Sequence, residues 1–304
     1  MTVYPCIKVN LGLNVLRKRP DGYHDLETLF VPSGEYHDVL EIIAGDDWSR
    51  TSASLFSRYA GHEPSSPGSG EGPLLSGQAP GGTSSGQIVQ AVSDDGKLMV
   101  TIARKEGVGW NPLEDLCAKA YFLLDRDFSL PPAKIFLEKL SPVGAGLGGG
   151  SADAAFAIKE FDRLFSIGLD DAAMSGYASR LGSDCAFFMH CRPMFGEGRG
   201  DVLSDFPVPC LDRYELKVVV PEGISVSTAD AYRGIVPRIP AVPLKEILRQ
   251  PVETWRDMLT NDFEETVFAK YPALAAIKRS LYDSGAVYAS MSGSGSALFA
   301  LYPR

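Results

Sequence analysis

Cysteine is sparse and unpatterned: Cys6, Cys117, Cys185, Cys191 and Cys210 are odd in number and contain no C-x-x-C pair. That excludes a disulfide framework and a cysteine zinc site, and predicts reduced thiols, with Cys185, His190 and Cys191 serving as core or surface residues rather than ligands. Long apolar runs are also missing. No stretch approaches the roughly 18 uninterrupted apolar residues of a membrane span, and the chain opens on a patterned strand segment rather than a signal peptide. No membrane partner and a cytoplasmic enzyme are therefore expected. Positive charge is in deficit, with 29 basic against 38 acidic residues and a net charge of −9. A phosphate-rich polymer would be repelled overall, so no nucleic-acid partner is expected and any anion site must be local.

What remains is a globular chain. Its 304 residues and 45% hydrophobic content suffice for one large or two medium domains with a real core. Residues 46–96 break the pattern: within 61–86, Gly, Ser and Pro fill 18 of 26 positions, too little apolar surface to offset ordering entropy. That stretch is expected to be a low-complexity insertion, with some strand or helix near residues 48–59 and 87–92. Elsewhere the patterns predict strands near 97–105, 134–140, 214–220, 286–291 and 297–302. Helices are predicted near 115–126, after residue 150, over 171–181, and over 241–250, 255–261 and 271–284. That mixture is α+β.

The densest signal is the run Pro142-Val143-Gly144-Ala145-Gly146-Leu147-Gly148-Gly149-Gly150-Ser151, set between an apolar strand and a helix whose Ala154, Ile158, Phe161 and Phe165 share one face. Glycines permit close backbone approach, and a helix start adds unsatisfied N–H donors and partial positive charge, so a phosphate is expected there. The Walker pattern fails, because Ser151 follows Gly150 with no lysine between. The dinucleotide pattern Gly144-x-Gly146-x-x-Gly149 fits, but its required acid about 20 residues on would be Asp170 or Asp171. Those read instead as the cap and first-turn acid of the helix ending before Gly182. The Rossmann interpretation loses its second half.

Three other segments carry chemistry. In the N-terminal strand Ile7, Val9, Leu11, Leu13 and Val15 face one way, so Lys8 and Asn10 lie side by side on the other; a lone lysine there would ordinarily mark a solvated face. The turn Pro20-Asp21-Gly22 presents Tyr23 and His24, where a base could stack or where the chain simply connects. Ser292-Gly293-Ser294-Gly295-Ser296 is a ligand-approaching loop or a flexible hairpin, and Asp184 is a helix cap or a placed catalytic acid.

Taken together, Lys8-Val9-Asn10-Leu11, the glycine run through Ala155 and the 292–296 loop resemble, in order, the three motifs of the GHMP kinase superfamily. The block Arg19-Pro20-Asp21-Gly22-Tyr23-His24-Asp25-Leu26-Glu27-Thr28-Leu29-Phe30 is similar to the branch acting on a cytidine-diphosphate-linked methylerythritol, not to its mevalonate, homoserine or galactose relatives. The resemblance implies a two-domain α+β fold, residues 1–200 and 201–304, with the active site in the cleft between domains. It implies that ATP binds over Pro142, Gly144, Ala145, Gly146, Leu147, Gly148, Gly149, Gly150 and Ser151, with Mg2+ near Ser151. Asp184 would take the substrate proton and Lys8 would hold that acid ionised, with Asn10 in support. Tyr23 and Tyr232 would flank the cytosine, His24 would read its edge, and Thr228, Ser294 and Gly295 would complete the substrate site. Ile7, Asp115, Ala186 and the insertion depart from the family pattern. Another small-alcohol kinase, a non-catalytic nucleotide-binding protein on the same fold and a nicotinamide oxidoreductase are the alternatives. The 21–24 block, the presence of both Lys8 and Asp184, and the failed Rossmann half stand against them in turn.

Overall fold

A computed structural model describes residues 1–45 and 87–304; the expected elements near 48–59, and most of the insertion, lie outside the described residues. In chain order the strands are β1 (Thr2–Val3), β2 (Cys6–Lys18), β3 (His24–His37), β4 (Val39–Ala44), β5 (Ile88–Val92), β6 (Leu98–Ala103), β7 (Ala133–Glu138), β8 (Met194–Glu197), β9 (Val202–Asp205), β10 (Tyr214–Val219), β11 (Tyr288–Met291) and β12 (Leu298–Pro303). The helices are α1 (Leu116–Phe128), α2 (Gly149–Phe165), α3 (Asp171–Leu181), α4 (Cys185–His190), α5 (Thr228–Arg233), α6 (Leu244–Ile247), α7 (Trp255–Met258), α8 (Phe263–Lys270) and α9 (Pro272–Asp283). The α+β mixture is as expected. Contacts divide the chain into two compact units that interleave in sequence: Met1–Pro5, His37–Ser141 and Gly149–Met189 form one, and Cys6–Tyr36, Pro142–Gly148 and His190–Arg304 the other.

The first unit is built on a five-stranded sheet in the order β1-β4-β7-β6-β5. Only β6 and β7 pair in parallel, Leu98 opposite Ala133 through Ala103 opposite Glu138, and such a pair needs a crossover, here α1. β5, at the end of the insertion, is the antiparallel edge strand beside β6. Ala154, Ile158 and Phe161 of α2 are fully buried, and Phe161 meets Tyr121 of α1 edge to face at 5.4 Å. Phe165, at the end of that stripe, is half-buried.

Asp170, expected as a helix cap, does that work, and the structure shows Asp115 doing the same ahead of α1. Asp115 accepts the Cys117 N–H at 2.9 Å, and Asp170 accepts the Ala173 N–H at 2.7 Å. Asp170→Ala should cost about 1 kcal/mol, seen as a lower urea midpoint at unchanged slope; an unmoved midpoint would remove the capping role.

The second unit contains the sheet β2-β3-β8-β9 and the antiparallel sheet β10-β12-β11. β2 keeps its period of two, but both faces are covered: Lys8 and Asn10 are as buried as Ile7 and Val9. The solvated-face interpretation of Lys8 is thereby corrected. The helix expected over 241–250 contracts to α6, which starts only after Pro243, and the chain beyond it wraps buried Trp255, whose indole N–H donates to Ile247 O and Gln250 O at 3.1 Å each. β8, β9, α5 and α8 have no counterpart in the sequence expectations; each is eight residues or fewer, too short to show a period.

Candidate active site

In the second unit, residues 142–148 alternate anchors and glycines. Ala145 and Leu147 are buried in the core with Ile7, Val9 and Leu11, and Gly144, Gly146 and Gly148 between them have positive φ. The segment is stitched on both sides: Lys8 N–H donates to Leu147 O at 2.9 Å, and Ala297 N–H to Ala145 O at 3.1 Å. Gly146 is the point of closest approach, since a Cβ there would lie 2.3 Å from Ser292 O. Any side chain would separate the two glycine loops.

The Gly146 carbonyl gathers the three motifs. Lys8 Nζ donates to it at 3.1 Å and to Asn10 Oδ1 at 2.7 Å, while Ser292 Oγ donates to it at 3.1 Å. A lysine 3% exposed is costly to bury unless its ammonium protons are satisfied, and two of the three are satisfied by these neutral acceptors. The Phe30 ring, 5.4 Å from Nζ, adds a cation–π contact. Asn10 Nδ2 in turn donates to Thr28 Oγ1 at 3.1 Å, and Thr28 Oγ1 to Gly12 O at 2.6 Å. Asn261 Nδ2 donates to Met291 O at 2.8 Å and Gly293 O at 2.9 Å, fixing the 292–296 loop. Sequence reasoning missed Thr28 and Asn261 as supports; the only signal was an uncharged polar residue where a buried one needs partners.

Residues expected to bind substrate form two pairs in this unit. Thr228 Oγ1 and Ser294 Oγ lie 3.1 Å apart, and Gly295 N–H closes its loop onto Ser292 O at 2.9 Å. Of the rings expected around the cytosine, His24 stacks on Tyr232 at 4.8 Å, while Tyr23, 57% exposed, lies under the Arg199 guanidinium at 5.1 Å. Burial, then the charge of Lys18, lowers the His24 pKa below the ordinary histidine value, so the ring is neutral at pH 7 and offers one donor and one acceptor.

In the first unit, α2 begins at Gly149 with no acidic residue in its first turn, so its open N–H groups face no carboxylate on their own turn. Gly150 is exposed and Ser151 half-buried. Ser151 hydrogen-bonds the Cys185 side chain, and burial, with Asp184 adding to it, pushes that thiol up to about 11. Cys185 is therefore a protonated packing residue at neutral pH and no nucleophile. Asp184, directly before it, occupies the half-buried turn between α3 and α4. Ser151 and the Asp184 turn are thus brought together. No disulfide joins any of the five cysteines. Among the described residues, no helix is long and apolar enough to cross a membrane.

Residues 115–192 match the model described as GHMP kinases N terminal domain, and residues 244–304 the model described as GHMP kinases C terminal. The chain is 40% identical over 302 residues to 4-diphosphocytidyl-2-C-methyl-D-erythritol kinase of Bacteroides fragilis, covering 99% of this chain and 92% of the relative. It is 37% identical to the protein of that name from Cytophaga hutchinsonii, with the same coverage. A crystal structure of 4-(cytidine 5'-diphospho)-2C-methyl-D-erythritol kinase superimposes with a TM-score of 0.69 at 28% identity, covering 99% of this chain and 90% of that one.

Proposed function

The chain belongs to the family of 4-diphosphocytidyl-2-C-methyl-D-erythritol kinases within the GHMP kinases, and on that premise we propose that it transfers the γ-phosphoryl group of ATP to the 2-hydroxyl of that cytidylylated alcohol in non-mevalonate isoprenoid precursor synthesis. The observation that carries this reading is the convergence of Lys8, itself held by Asn10, and Ser292 on the Gly146 carbonyl, which ties three sequence-distant motifs together.

Phosphoryl transfer asks the protein for alignment and charge neutralisation more than covalent chemistry. The backbone of residues 144–151 and the α2 N-terminus take the phosphates. The substrate oxygen attacks the γ-phosphorus, the bond to the β,γ-bridging oxygen breaks and ADP leaves; the hydroxyl proton goes to the Asp184 carboxylate. Lys8 supplies positive charge to the reacting oxygens, its stem locked by Asn10. Mg2+ neutralises triphosphate charge when bound, and Ser151 Oγ would hold it together with phosphate oxygens. Among the described residues no three or more His, Cys, Asp or Glu side chains form a metal-holding group, and a cation held mainly by phosphates and water does not require one. A cytoplasmic location goes with this reading. The family matches, which end at 192 and resume at 244, go with a domain division near residue 200, whereas the compact units take Cys6–Tyr36 and Pro142–Gly148 together with His190–Arg304.

Tyr23, Tyr232 and His24 are assigned to the cytosine, Tyr23 moving from Arg199 to the base. Stacking is worth roughly 1–3 kcal/mol per base, so Tyr23→Ala should raise KM for the cytidylylated substrate about 5- to 150-fold and leave that for ATP within twofold; an effect confined to ATP reverses the assignment. The function itself is tested by a coupled ADP-release assay over a panel of alcohols. Turnover of the cytidylylated methylerythritol far above mevalonate and homoserine is expected, and equal turnover would overturn the substrate.

A further inference from the structure

We propose that Lys139 is the positioning residue of the phosphate loop, clamping the strand that leads into the loop to the helix that leads out of it. The proposal rests on the kinase reading only for the identity of the loop's ligand.

Lys139 directly follows β7. Its Nζ bridges the carboxylates of Asp38, between β3 and β4, and Asp153, in the second turn of α2, and all three residues are buried. Asp38 also grips the strand side of the loop: its Oδ1 accepts the N–H groups of Leu140 at 2.7 Å and Ser141 at 2.6 Å, and its Oδ2 accepts Ser141 Oγ at 2.6 Å. At the far end, Gly149 sits so close that a Cβ would fall 2.4 Å from Ser141 Oγ. Residues 142–148 therefore leave and return at two points held side by side by one ammonium and two carboxylates.

This is a poor way to gain stability. Two acids share one lysine in a dry site, and Asp153 Oδ1 has no hydrogen-bond partner among the described residues. Burial pushes the Asp153 carboxyl well up, against Lys139. Burial works against the Lys139 charge too, but Asp153 and Asp38 outweigh it and raise its pKa. Apolar side chains of similar volume commonly do as well or better in such places. What they cannot do is hold two chain segments at fixed, directional contacts, and a loop that must present N–H groups to an anion gains from that fixation by losing less freedom on binding.

The test compares the full chain with the double variant Lys139→Met/Asp153→Leu, which removes the ion pair without stranding the lysine, and with Asp153→Asn, which keeps shape and an acceptor. Amide exchange over residues 143–150 is measured without ligand, and ATP affinity by calorimetry. In the double variant, exchange should rise at least tenfold and the ATP Kd at least tenfold, while KM for the cytidylylated substrate stays within twofold. Asp153→Asn should shift exchange and ATP Kd the same way by about threefold, and decides the matter if the double variant does not fold. Loop exchange and ATP Kd both unchanged in a folded variant overturn the clamp. A wild-type chain that fails to bind ATP overturns the kinase reading instead, and the exchange measurements still judge the clamp.

Discussion

Asp184→Asn is expected to lower kcat by roughly 10²- to 10⁴-fold, the range that a placed general base contributes, while the ATP dissociation constant stays within a few-fold. The substitution keeps the side chain's size in the half-buried turn between α3 and α4, a turn closed by the Cys185 N–H on Gly182 O at 3.1 Å, so the fold should survive. What is lost is the acceptor for the hydroxyl proton. The adjacent Cys185 cannot take over, because burial keeps its thiol protonated, with a pKa of about 11. A loose phosphoryl-transfer transition state develops little charge on the attacking oxygen before bond formation, which favours the lower end of that range. Steady-state kinetics with a calorimetric ATP titration checks it; activity within tenfold of wild type would remove Asp184 as the base.

Gly146→Ala should damage the site from the opposite side. Its φ of +80° makes a non-glycine residue cost on the order of 1–3 kcal/mol in strain, and the new Cβ would meet backbone, Ser292 O at 2.3 Å and Gly295 N and O at 3.2 Å. Backbone does not rotate away as a side chain can. The Gly146 carbonyl also carries the hydrogen bonds from Lys8 and Ser292, so any shift moves Lys8. A loss of about 100-fold or more in kcat/KM for ATP is expected. Gly144→Ala is the control: its φ is +75°, but nothing lies within 4 Å of the added Cβ, so it carries strain without collision and should lose no more than about tenfold. Equal losses in the two variants would show that the close approach to Ser292 has no part in the site.

The sequence was most legible where spacing alone determines structure. A period of two in β2 placed Lys8 beside Asn10, and the structure joins them at 2.7 Å. Asp170 was readable as a helix start because a capping carboxylate acts within three residues of itself. Partnerships across long separations were not readable. Asn261 supports a loop some thirty residues away in the chain, Lys139 reaches Asp38 across 101 residues, and His24 rather than Tyr23 is the ring that meets Tyr232.

By itself, then, the sequence determined many of the local elements and the order of the family motifs, because glycine content, strand alternation and capping are properties of neighbouring residues. Only the tertiary structure decided that the lysine-bearing face of β2 is dry, that Gly146 is the meeting point of all three motifs in its unit, and that buried Lys139 bridges Asp38 and Asp153. Burial and hydrogen-bond partnership depend on which distant segments cover a residue, and no window along the chain contains that information.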